Sequence, residues 1–234
     1  MTGPPGGIGS VHVFVADLEA PELAEEDRHH VLAVLRIRPG ERLTASDGDG
    51  RWRACSLARN GRIEPDGEIV TVKPPRPALT VGIALTKGSR PELIVQKLTE
   101  LGIERIVPFV AARSVVRWEG ERASRHLVRL RRVAREASMQ CGRVTLPAVE
   151  DLTAFATAAG RPGVAMARVG GDPPSLARPS VLVGPEGGWA QEELDLRLPA
   201  VGLGSLVLRA ETAAITAAAL LTGLRLGLVR EGSP

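Results

Sequence analysis

A proline-rich stretch at residues 73–77, Lys-Pro-Pro-Arg-Pro, divides the chain into two parts with different residue patterns. Proline lacks a backbone N–H and has a fixed φ, so this stretch can neither continue a helix nor lie inside a sheet. Such a composition is typical of a stiff linker. We therefore expect a domain boundary here, between a first domain at residues 1–73 and a second at residues 78–234.

The first part has the pattern of a small β-rich domain. Short apolar runs such as residues 11–15 alternate with turn signals at residues 47–50, 60–61 and 66–67, in which glycine follows Asp or Asn. These signals are typical of hairpin turns between antiparallel strands. Residues 29–36 interrupt the pattern with helical spacing, and we expect a helix there that packs on the strands.

The second part begins with the pattern of a β-α-β unit. Residues 78–85 form an apolar run that is typical of a strand covered on both faces. Residues 89–92, Ser-Arg-Pro-Glu, fit a helix N-terminus, and Gly102 predicts the end of that helix. Residues 105–110 predict the next strand, which a helical connection makes parallel to the first. The expected fold class is α/β with a parallel sheet.

Residues 121–140 predict a long amphipathic helix with arginines on the face away from its apolar stripe. The arginines recur at steps of three and four residues, namely Arg125, Arg129, Arg132 and Arg135. Two interpretations stay open, a solvated charged face and a surface that contacts RNA. Aromatic residues do not alternate with these arginines, which favours contact with phosphates over stacking on bases.

A glycine-rich turn at residues 184–188, Gly-Pro-Glu-Gly-Gly, is the first candidate for chemistry. It follows a predicted buried strand at residues 181–183 and precedes a predicted helix at residues 189–198. Glycines let a ligand approach the backbone closely. The turn matches no phosphate-binding motif and contains Glu186 without a basic neighbour, so a neutral or cationic ligand is favoured. An ordinary glycine turn is the alternative.

The second candidate is Arg209 with Glu211, directly before an uncharged segment. Residues 212–224 contain no charged side chain, which is unusual for a surface helix, and they are too few to span a bilayer. We expect this helix to be buried against its own sheet and against a second copy of the chain in a homodimer. Arg209 and Glu211 would then stand at a strand-to-helix junction, where charges are costly unless they are paired or used.

The cysteines and the overall charge narrow the class of protein. Cys55 and Cys141 are far apart and have no metal-ligand spacing, so we expect no metal and no disulfide framework. Residues 1–9 lack the pattern of a signal peptide, and we expect a cytoplasmic protein that contacts no membrane. The sequence pI of about 9.4 hints at an anionic partner.

Several short motifs, taken in order along the chain, resemble the RsmE family of 16S ribosomal RNA uridine-N3 methyltransferases in the SPOUT superfamily. The matching segments are His30-Val31-Leu32, Leu35-Arg36, Lys87-Gly88, residues 96–102 (QKLTELG), residues 140–143 (QCGR), residues 184–188 (GPEGG), Leu203-Gly204 and residues 208–213 (LRAETA). Each motif is weak by itself, but their order and spacing together are specific. The chain departs from the family's pattern at Ser89, Met139 and Leu206.

The resemblance implies an N-terminal PUA-like barrel that binds RNA and a C-terminal SPOUT domain with a parallel sheet and a trefoil knot. It implies S-adenosylmethionine as the cofactor, held by Leu85, Thr86, Gly184, Pro185, Glu186, Gly187, Leu203, Gly204 and Leu208. It implies 16S ribosomal RNA as the partner, within the small ribosomal subunit, contacted by Arg36, Lys87, Arg125, Arg129, Arg132 and Arg143. The sulfonium of this cofactor is cationic, which agrees with an acidic turn.

Arg209 and Glu211 are the catalytic candidates under the same resemblance. Uracil N3 is protonated at neutral pH, so the site must stabilise the deprotonated imide and hold it in line with the methyl-sulfur bond. Arg209 would stabilise negative charge on the uracil oxygens and thereby lower the pKa of N3. Glu211 would act as the base, or would orient Arg209 or the backbone of the knot.

Two other functions stay open from the residues. A ribose 2′-O-methyltransferase of the same superfamily would carry an Asn and an Arg in the first motif of its catalytic domain, whereas the chain has a single Asn, Asn60. A noncatalytic RNA-binding or assembly factor would need the barrel and the arginine helix without an intact cofactor turn. Analysis of the methylated nucleoside would distinguish the ribose methyltransferase from a uridine-N3 methyltransferase. A measurement of S-adenosylmethionine binding would distinguish the noncatalytic factor from an enzyme.

Overall fold

The computed structural model describes residues 11–29, 31, 37–88 and 90–230, which cluster into two compact units. The first unit comprises the described residues up to Pro74 together with Arg135–Leu146. The second comprises Pro75–Ala134 and the described residues from Pro147 onward. One division therefore falls within the proline-rich stretch, and Arg135–Leu146, which we expected in the second domain, clusters with the first unit.

The first unit is built around a β-sheet. Its elements are β1 (Val11–Phe14), α1 (Glu25–His29), β2 (Arg42–Ser46), β3 (Arg51–Leu57), β4 (Ile63–Pro65) and β5 (Val70–Thr71). The strand order is β1-β2-β3-β4, with β5 also paired to β3. Strands β1 and β2 are parallel, and the other pairs are antiparallel.

The turn signals in this unit mark real turns, with one difference in pairing. Residues 47–50 connect the antiparallel pair β2 and β3, and residues around Asn60 and Gly61 connect β3 and β4, as predicted. Asp47 fixes the first turn because its Oδ1 accepts hydrogen bonds from the backbone N–H groups of Asp49 and Arg51. Beyond Gly67 the chain does not form a hairpin, since β4 and β5 both pair with β3. The helix predicted at residues 29–36 lies mostly outside the described residues.

The second unit contains a parallel sheet with helices, which confirms the α/β class. Its strands are β6 (Thr80–Ala84), β7 (Arg105–Val110), β8 (Ala148–Val149), β9 (Thr153–Ala154), β10 (Val164–Asp172), β11 (Ser180–Val183) and β12 (Ala200–Val201). Their order is β12-β10-β11-β6-β7-β8, with β9 beside β7, and every pairing is parallel. The helices are α2 (Arg90–Glu100), α3 (Gly120–Cys141), α4 (Phe155–Ala159), α5 (Gln191–Leu194) and α6 (Ala210–Arg225), and the residues of α3 from Arg135 onward cluster with the first unit.

Buried apolar strands explain why this sheet forms. All five residues of β6 are buried, as its apolar run predicts. Gly82 within it is required by packing, because a Cβ there would lie 2.4 Å from the Leu182 side chain on β11. Helix α2 buries Ile94, Val95 and Leu98, and its chain turns at Gly102 with a φ of +83°, which confirms the predicted helix end.

Two local predictions near the candidate site were wrong. The helix expected at residues 189–198 is limited to α5, and beyond its end the chain turns at Arg197 with a φ of +49°. Strand β12 stops at Val201, so Arg209 and Glu211 stand at a loop-to-helix junction instead of a strand-to-helix junction. Gly202 leaves the strand in close contact with Gly171, where a Cβ would lie 2.6 Å from the Gly171 carbonyl oxygen.

Helix α6 is apolar but is not covered on all sides by its own chain. Ala214, Ala218 and Leu221 are fully buried against the sheet and α2, whereas Ala219 is exposed and Leu220 is half-buried. We expected α6 to be buried on every side, but its own chain buries only one face of the helix. The trefoil knot implied by the resemblance stays a prediction.

Candidate functional site

A cavity of about 500 Å³ lies in the second unit where strand β11 ends. Parts of three segments form its wall, residues 167–169 of β10, residues 183–189 at and beyond the end of β11, and residues 203–213 around the start of α6. Strands β10 and β11 are neighbours in the sheet, so the first two segments meet because the strands pair. The lining is mostly apolar, with Arg168, Glu186 and Arg209 as its charged side chains.

Trp189 gives this wall a fixed shape. Its Nε1 donates a hydrogen bond to the carbonyl oxygen of Ala167 at 3.1 Å, and its ring lies nearly parallel to that of Phe109, with centroids 6.2 Å apart. Gly184 makes room for it, because a Cβ there would lie 2.9 Å from the Trp189 ring. The glycine at this position therefore serves close packing of an indole against the turn.

Glu193 anchors the chain just after the glycine-rich turn. Its buried carboxylate accepts hydrogen bonds from the backbone N–H groups of Ala190 at 2.8 Å and Ala112 at 2.9 Å. The two bonds hold α5 to the loop that follows β7. Arg113 in that loop donates to the carbonyl oxygen of Gly187 at 3.2 Å, so the turn is held from outside the cavity as well.

The structure brings six of the nine predicted cofactor residues to the cavity wall. They are Gly184, Pro185, Glu186, Leu203, Gly204 and Leu208. Gly187 is not among the lining residues, and a Cβ on it would meet Arg113 at 3.2 Å, so its side-chain direction is already filled by protein. Leu85 and Thr86 are buried at the end of β6 and also do not line the cavity.

Several lining residues were missed by the sequence reasoning. Ala167, Arg168 and Val169 come from β10, which sequence patterns did not connect to the glycine-rich turn. Trp189 could have been found, because a large aromatic residue directly follows the turn. The β10 residues could not, since their place depends on which strand lies beside β11.

The two catalytic candidates differ in their surroundings. Arg209 is the N-cap residue of α6, lines the cavity and is exposed, and its guanidinium has no ion-pair partner among the described residues. Glu211 does not line the cavity. Its Oε1 lies 3.8 Å from Nε of Arg90, and its Oε2 is buried without a hydrogen-bond partner in the described part of the chain. Arg90 also pairs with Glu186.

The predicted RNA-binding residues of the second unit lie on its surface. Lys87, Arg125 and Arg132 are exposed. Arg129 is exposed and pairs with Glu92, at 3.0 Å from Nε to Oε1. These four side chains are exposed to solvent, and Arg129 has Glu92 as a counter-ion.

In the first unit the cations expected near RNA have internal contacts. Arg143 is half-buried and its Nε donates to the carbonyl oxygen of Thr145 at 2.7 Å. Arg135, at the end of the arginine row, pairs with Asp27 and lies over the Phe14 ring at 5.0 Å. Arg135 thus has a packing role. Arg36 lies outside the described residues.

We also looked among the described residues for a reactive cysteine, a metal site and a membrane-spanning helix. Burial raises the pKa of the Cys55 thiol to about 11, so this thiol is a poor nucleophile at neutral pH. The described residues contain no group of three or more His, Cys, Asp or Glu side chains that could hold a metal ion. Among them no helix is long and apolar enough to cross a membrane.

Known proteins resemble the chain in both parts. Residues 23–70 match the family described as an RNA methyltransferase PUA domain, and residues 73–222 match the RNA methyltransferase domain. Ribosomal RNA small subunit methyltransferase E of Mycobacterium tuberculosis is 36% identical over 214 residues, which cover 82% of each protein. The protein of the same name from Bacillus subtilis is 28% identical over 228 residues, covering 85% of this chain and 89% of the relative.

Solved structures extend the similarity to the fold. A ribosomal RNA small subunit methyltransferase E from Neisseria gonorrhoeae, bound to S-adenosylmethionine, superposes with a TM-score of 0.79 at 29% identity, over 92% of this chain and 98% of that one. A methyltransferase from Legionella pneumophila in complex with the same cofactor gives a TM-score of 0.79 at 25% identity, over 92% and 97%. The order of strands around the cavity thus belongs to a known fold.

Proposed function

The chain belongs to the RNA methyltransferase family that includes the ribosomal RNA small subunit methyltransferases E, and from this premise we propose that it methylates N3 of a uridine in 16S ribosomal RNA. It is an S-adenosylmethionine-dependent ribosomal RNA methyltransferase of the SPOUT fold with an N-terminal PUA-like domain. The observation that carries the proposal is the cavity beside the glycine-rich turn, which combines a mostly apolar wall with Arg209, an arginine that has no ion-pair partner among the described residues.

The cavity fits this cofactor in size and in its mostly apolar lining. Its volume of about 500 Å³ lies within the roughly 300–1,000 Å³ of small-molecule sites. Its charged lining residues, among those described, are Arg168, Glu186 and Arg209, and Glu186 is already paired with Arg90. Gly184, Pro185, Leu203 and Leu208 would hold the cofactor through backbone and apolar contacts. When bound, it supplies a methyl group on a positively charged sulfonium.

Arg209 is the residue that we assign to the uracil ring. It stands at the N-terminus of the sixteen-residue helix α6, where the helix dipole adds partial positive charge. A guanidinium without a counter-ion at the cavity can donate hydrogen bonds to the uracil carbonyl oxygens. These bonds stabilise the imide anion, lower the pKa of N3, and so raise the fraction of the nucleophile present at neutral pH.

Glu211 fits an orienting role better than that of a base. It does not line the cavity, and the Arg90 guanidinium lies beside its carboxylate. A general base has to come within hydrogen-bond reach of the proton that it removes, and this geometry favours Arg209 over Glu211 at the substrate.

The partners follow from the surface of the second unit and from the family. RNA would meet the exposed cations Lys87, Arg125, Arg129 and Arg132. A second copy of the chain would cover the open face of α6. We place the reaction in the cytoplasm, on 16S ribosomal RNA within the small subunit. The trefoil knot is part of the same proposal, because it comes with the family's fold.

Nucleoside analysis tests the proposed function. Small-subunit ribosomal RNA from cells with and without the gene is digested and analysed by mass spectrometry, and we expect 3-methyluridine to disappear without the gene and to return with the wild-type gene. Loss of a 2′-O-methylated nucleoside would identify a ribose methyltransferase instead. An unchanged set of modified nucleosides would favour a noncatalytic RNA-binding factor.

Replacing Arg209 tests the mechanism. We expect Arg209→Ala to lower kcat by roughly a hundredfold, which is typical for loss of one charge-stabilising donor. The activity should shift to higher pH, because the N3 proton must then be lost without electrostatic help. Arg168→Ala removes another arginine of the cavity wall and should leave the pH profile in place. An Arg209→Ala enzyme with normal turnover and a normal pH profile would contradict the assignment.

A further inference from the structure

Arg90, the first residue of α2, reaches the acids of two separate chain segments. Its Nη1 donates to Oε1 of Glu186 at 2.5 Å, and its Nε lies 3.8 Å from Oε1 of Glu211. Glu186 belongs to the glycine-rich turn that lines the cavity, and Glu211 belongs to the first turn of α6. One guanidinium therefore joins the cofactor turn to the helix that carries Arg209 at its start.

We propose that Arg90 is a positioning residue, which fixes the glycine-rich turn to α6 and thereby sets the place of Arg209 at the cavity. The proposal rests on the function proposed above and deepens it, because Arg90 itself does not line the cavity. Arg90 acts on the cofactor through Glu186 and on the uracil through Glu211 and Arg209.

Charge balance makes Arg90 necessary for this arrangement. Within the described residues, Arg90 is the cation that pairs with Glu186 and with Glu211. Without it, two carboxylates that share one guanidinium would face each other unpaired and would repel. Glu211 cannot simply turn to water, because its side chain is 17% exposed and its Oε2 is buried without a hydrogen-bond partner in the described chain. Loss of Arg90 would therefore move at least one of the two acids.

A displacement of Glu211 would also displace Arg209, because both residues belong to the start of α6. Glu211 lies in the first turn of α6, two residues after the N-cap Arg209. The backbone of this turn is hydrogen-bonded, since the Ala213 N–H donates to the Arg209 carbonyl oxygen at 2.8 Å. A displaced first turn therefore carries Arg209 with it. Misplacement of a reacting group by about 1 Å can cost on the order of a hundredfold in rate.

Kinetics and cofactor binding of Arg90 variants test the proposal in the full-length protein. We expect Arg90→Ala to raise the Kd for S-adenosylmethionine by about fivefold, the scale of a half-exposed ion pair, and to lower kcat by about tenfold through misplacement of Arg209. The KM for RNA should stay within about twofold, because the Arg90 guanidinium is already paired with Glu186 and Glu211. Arg90→Lys keeps a positive charge at this position, so its cofactor Kd and its kcat should lie between those of Arg90→Ala and those of the wild type. Lys97→Ala is the matched control, since Lys97 lies on the same helix, is equally exposed at 38%, and pairs with Glu100.

A double variant separates positioning from a general loss of structure. In the Arg209→Ala background, Arg90→Ala should lower kcat by less than about twofold further, because its effect passes through the arginine already removed. Its effect on the cofactor Kd should persist. Fully multiplicative losses in kcat, or an Arg90→Ala enzyme equal to wild type, would overturn the proposal. If wild-type protein does not methylate RNA, the proposed function fails, while the cofactor Kd of the Arg90 variants still tests the link to Glu186.

Discussion

His12 lies in β1 with 2% of its surface exposed, and its Nδ1 shares a 2.8 Å hydrogen bond with Thr44 Oγ1. Burial lowers the pKa of His12 from 6.5 to about 4, the charge of Arg135 adds to the shift, and the backbone of Arg143 opposes it. The unfolded chain therefore binds a proton in a pH range where the folded chain does not. Stability from this group is fully present above pH 6.5 and is lost as the pH falls toward 4.

We expect His12→Gln to flatten the pH dependence of unfolding. In the wild type, protonation of His12 should lower the free energy of unfolding by on the order of 3 kcal/mol as the pH falls from 6.5 to about 4. One pKa unit corresponds to about 1.4 kcal/mol. Denaturant titrations at about pH 7, 5.5 and 4 measure it. His126→Gln, which replaces a half-buried histidine stacked on Trp118, is the control. Equal pH slopes for wild type and His12→Gln would contradict the assignment.

The glycines of the candidate site show what single residues in a sequence can predict. The motif at residues 184–188 predicts that a ligand approaches the backbone closely. At Gly184 the approaching group is the Trp189 ring, and at Gly187 it is Arg113, neither of which is a ligand. A glycine in a sequence can indicate that there is no room for a Cβ, but it does not show which group occupies that space. The neighbour of Gly187 could therefore not be predicted from the sequence.

At the scale of elements, those with local signals were predicted and those set by distant contacts were not. Helix α2, strand β7 and helix α3 have clear periodicity or end signals within their own residues. Helix α5 is limited to Gln191–Leu194, and β12 ends where Gly202 meets Gly171 on β10. Such a contact between distant residues has no local signature.

The exposed arginines of helix α3 can be tested for contact with RNA. If Arg125 contacts a phosphate, Arg125→Ala should weaken RNA binding for all sequences and reduce the slope of log affinity against log salt by about one, because fewer counterions are released. Arg131→Ala is a control on the same helix, since Arg131 bonds to the Val149 carbonyl oxygen and to Asp151. Affinities measured by fluorescence anisotropy at several salt concentrations give the slopes. An unchanged slope in Arg125→Ala would support a solvated charged face.

At the scale of the whole molecule, the order of the strands decides where the site forms. The sequence predicts parallel strands, but the order β12-β10-β11-β6-β7-β8 places β10 against the end of β11 and so adds Arg168 to the cavity wall. Strand β11 lies between β10, which directly precedes it in the chain, and β6, which comes much earlier, and a pairing between strands so far apart in sequence has no local signal. The cavity's three segments meet only in the complete sheet.

Several apolar side chains near the C-terminal end of the described residues are exposed to solvent. Leu226, Leu228 and Val229, just after α6, are 60%, 76% and 42% exposed, and Ala219 on α6 is exposed as well. A second copy of the same chain would bury this surface twice, because a twofold interface uses the same patch on both subunits. Ala218 is fully buried inside the subunit, so a charge there would disturb folding before it disturbed association.

Ala219→Glu therefore tests the dimer. Its carboxylate would enter an apolar interface from both subunits, and burial of an unpaired charge costs several kcal/mol, so the dimer Kd should rise by roughly a hundredfold or more. Ala156→Glu places the same charge on an exposed residue of α4 and should leave the Kd unchanged. Sedimentation velocity over a range of concentrations measures both, and circular dichroism confirms that each variant folds. If folded Ala219→Glu protein dimerises like the wild type, the open face of α6 is not the interface, and the exposed residues after it must meet something other than a second copy.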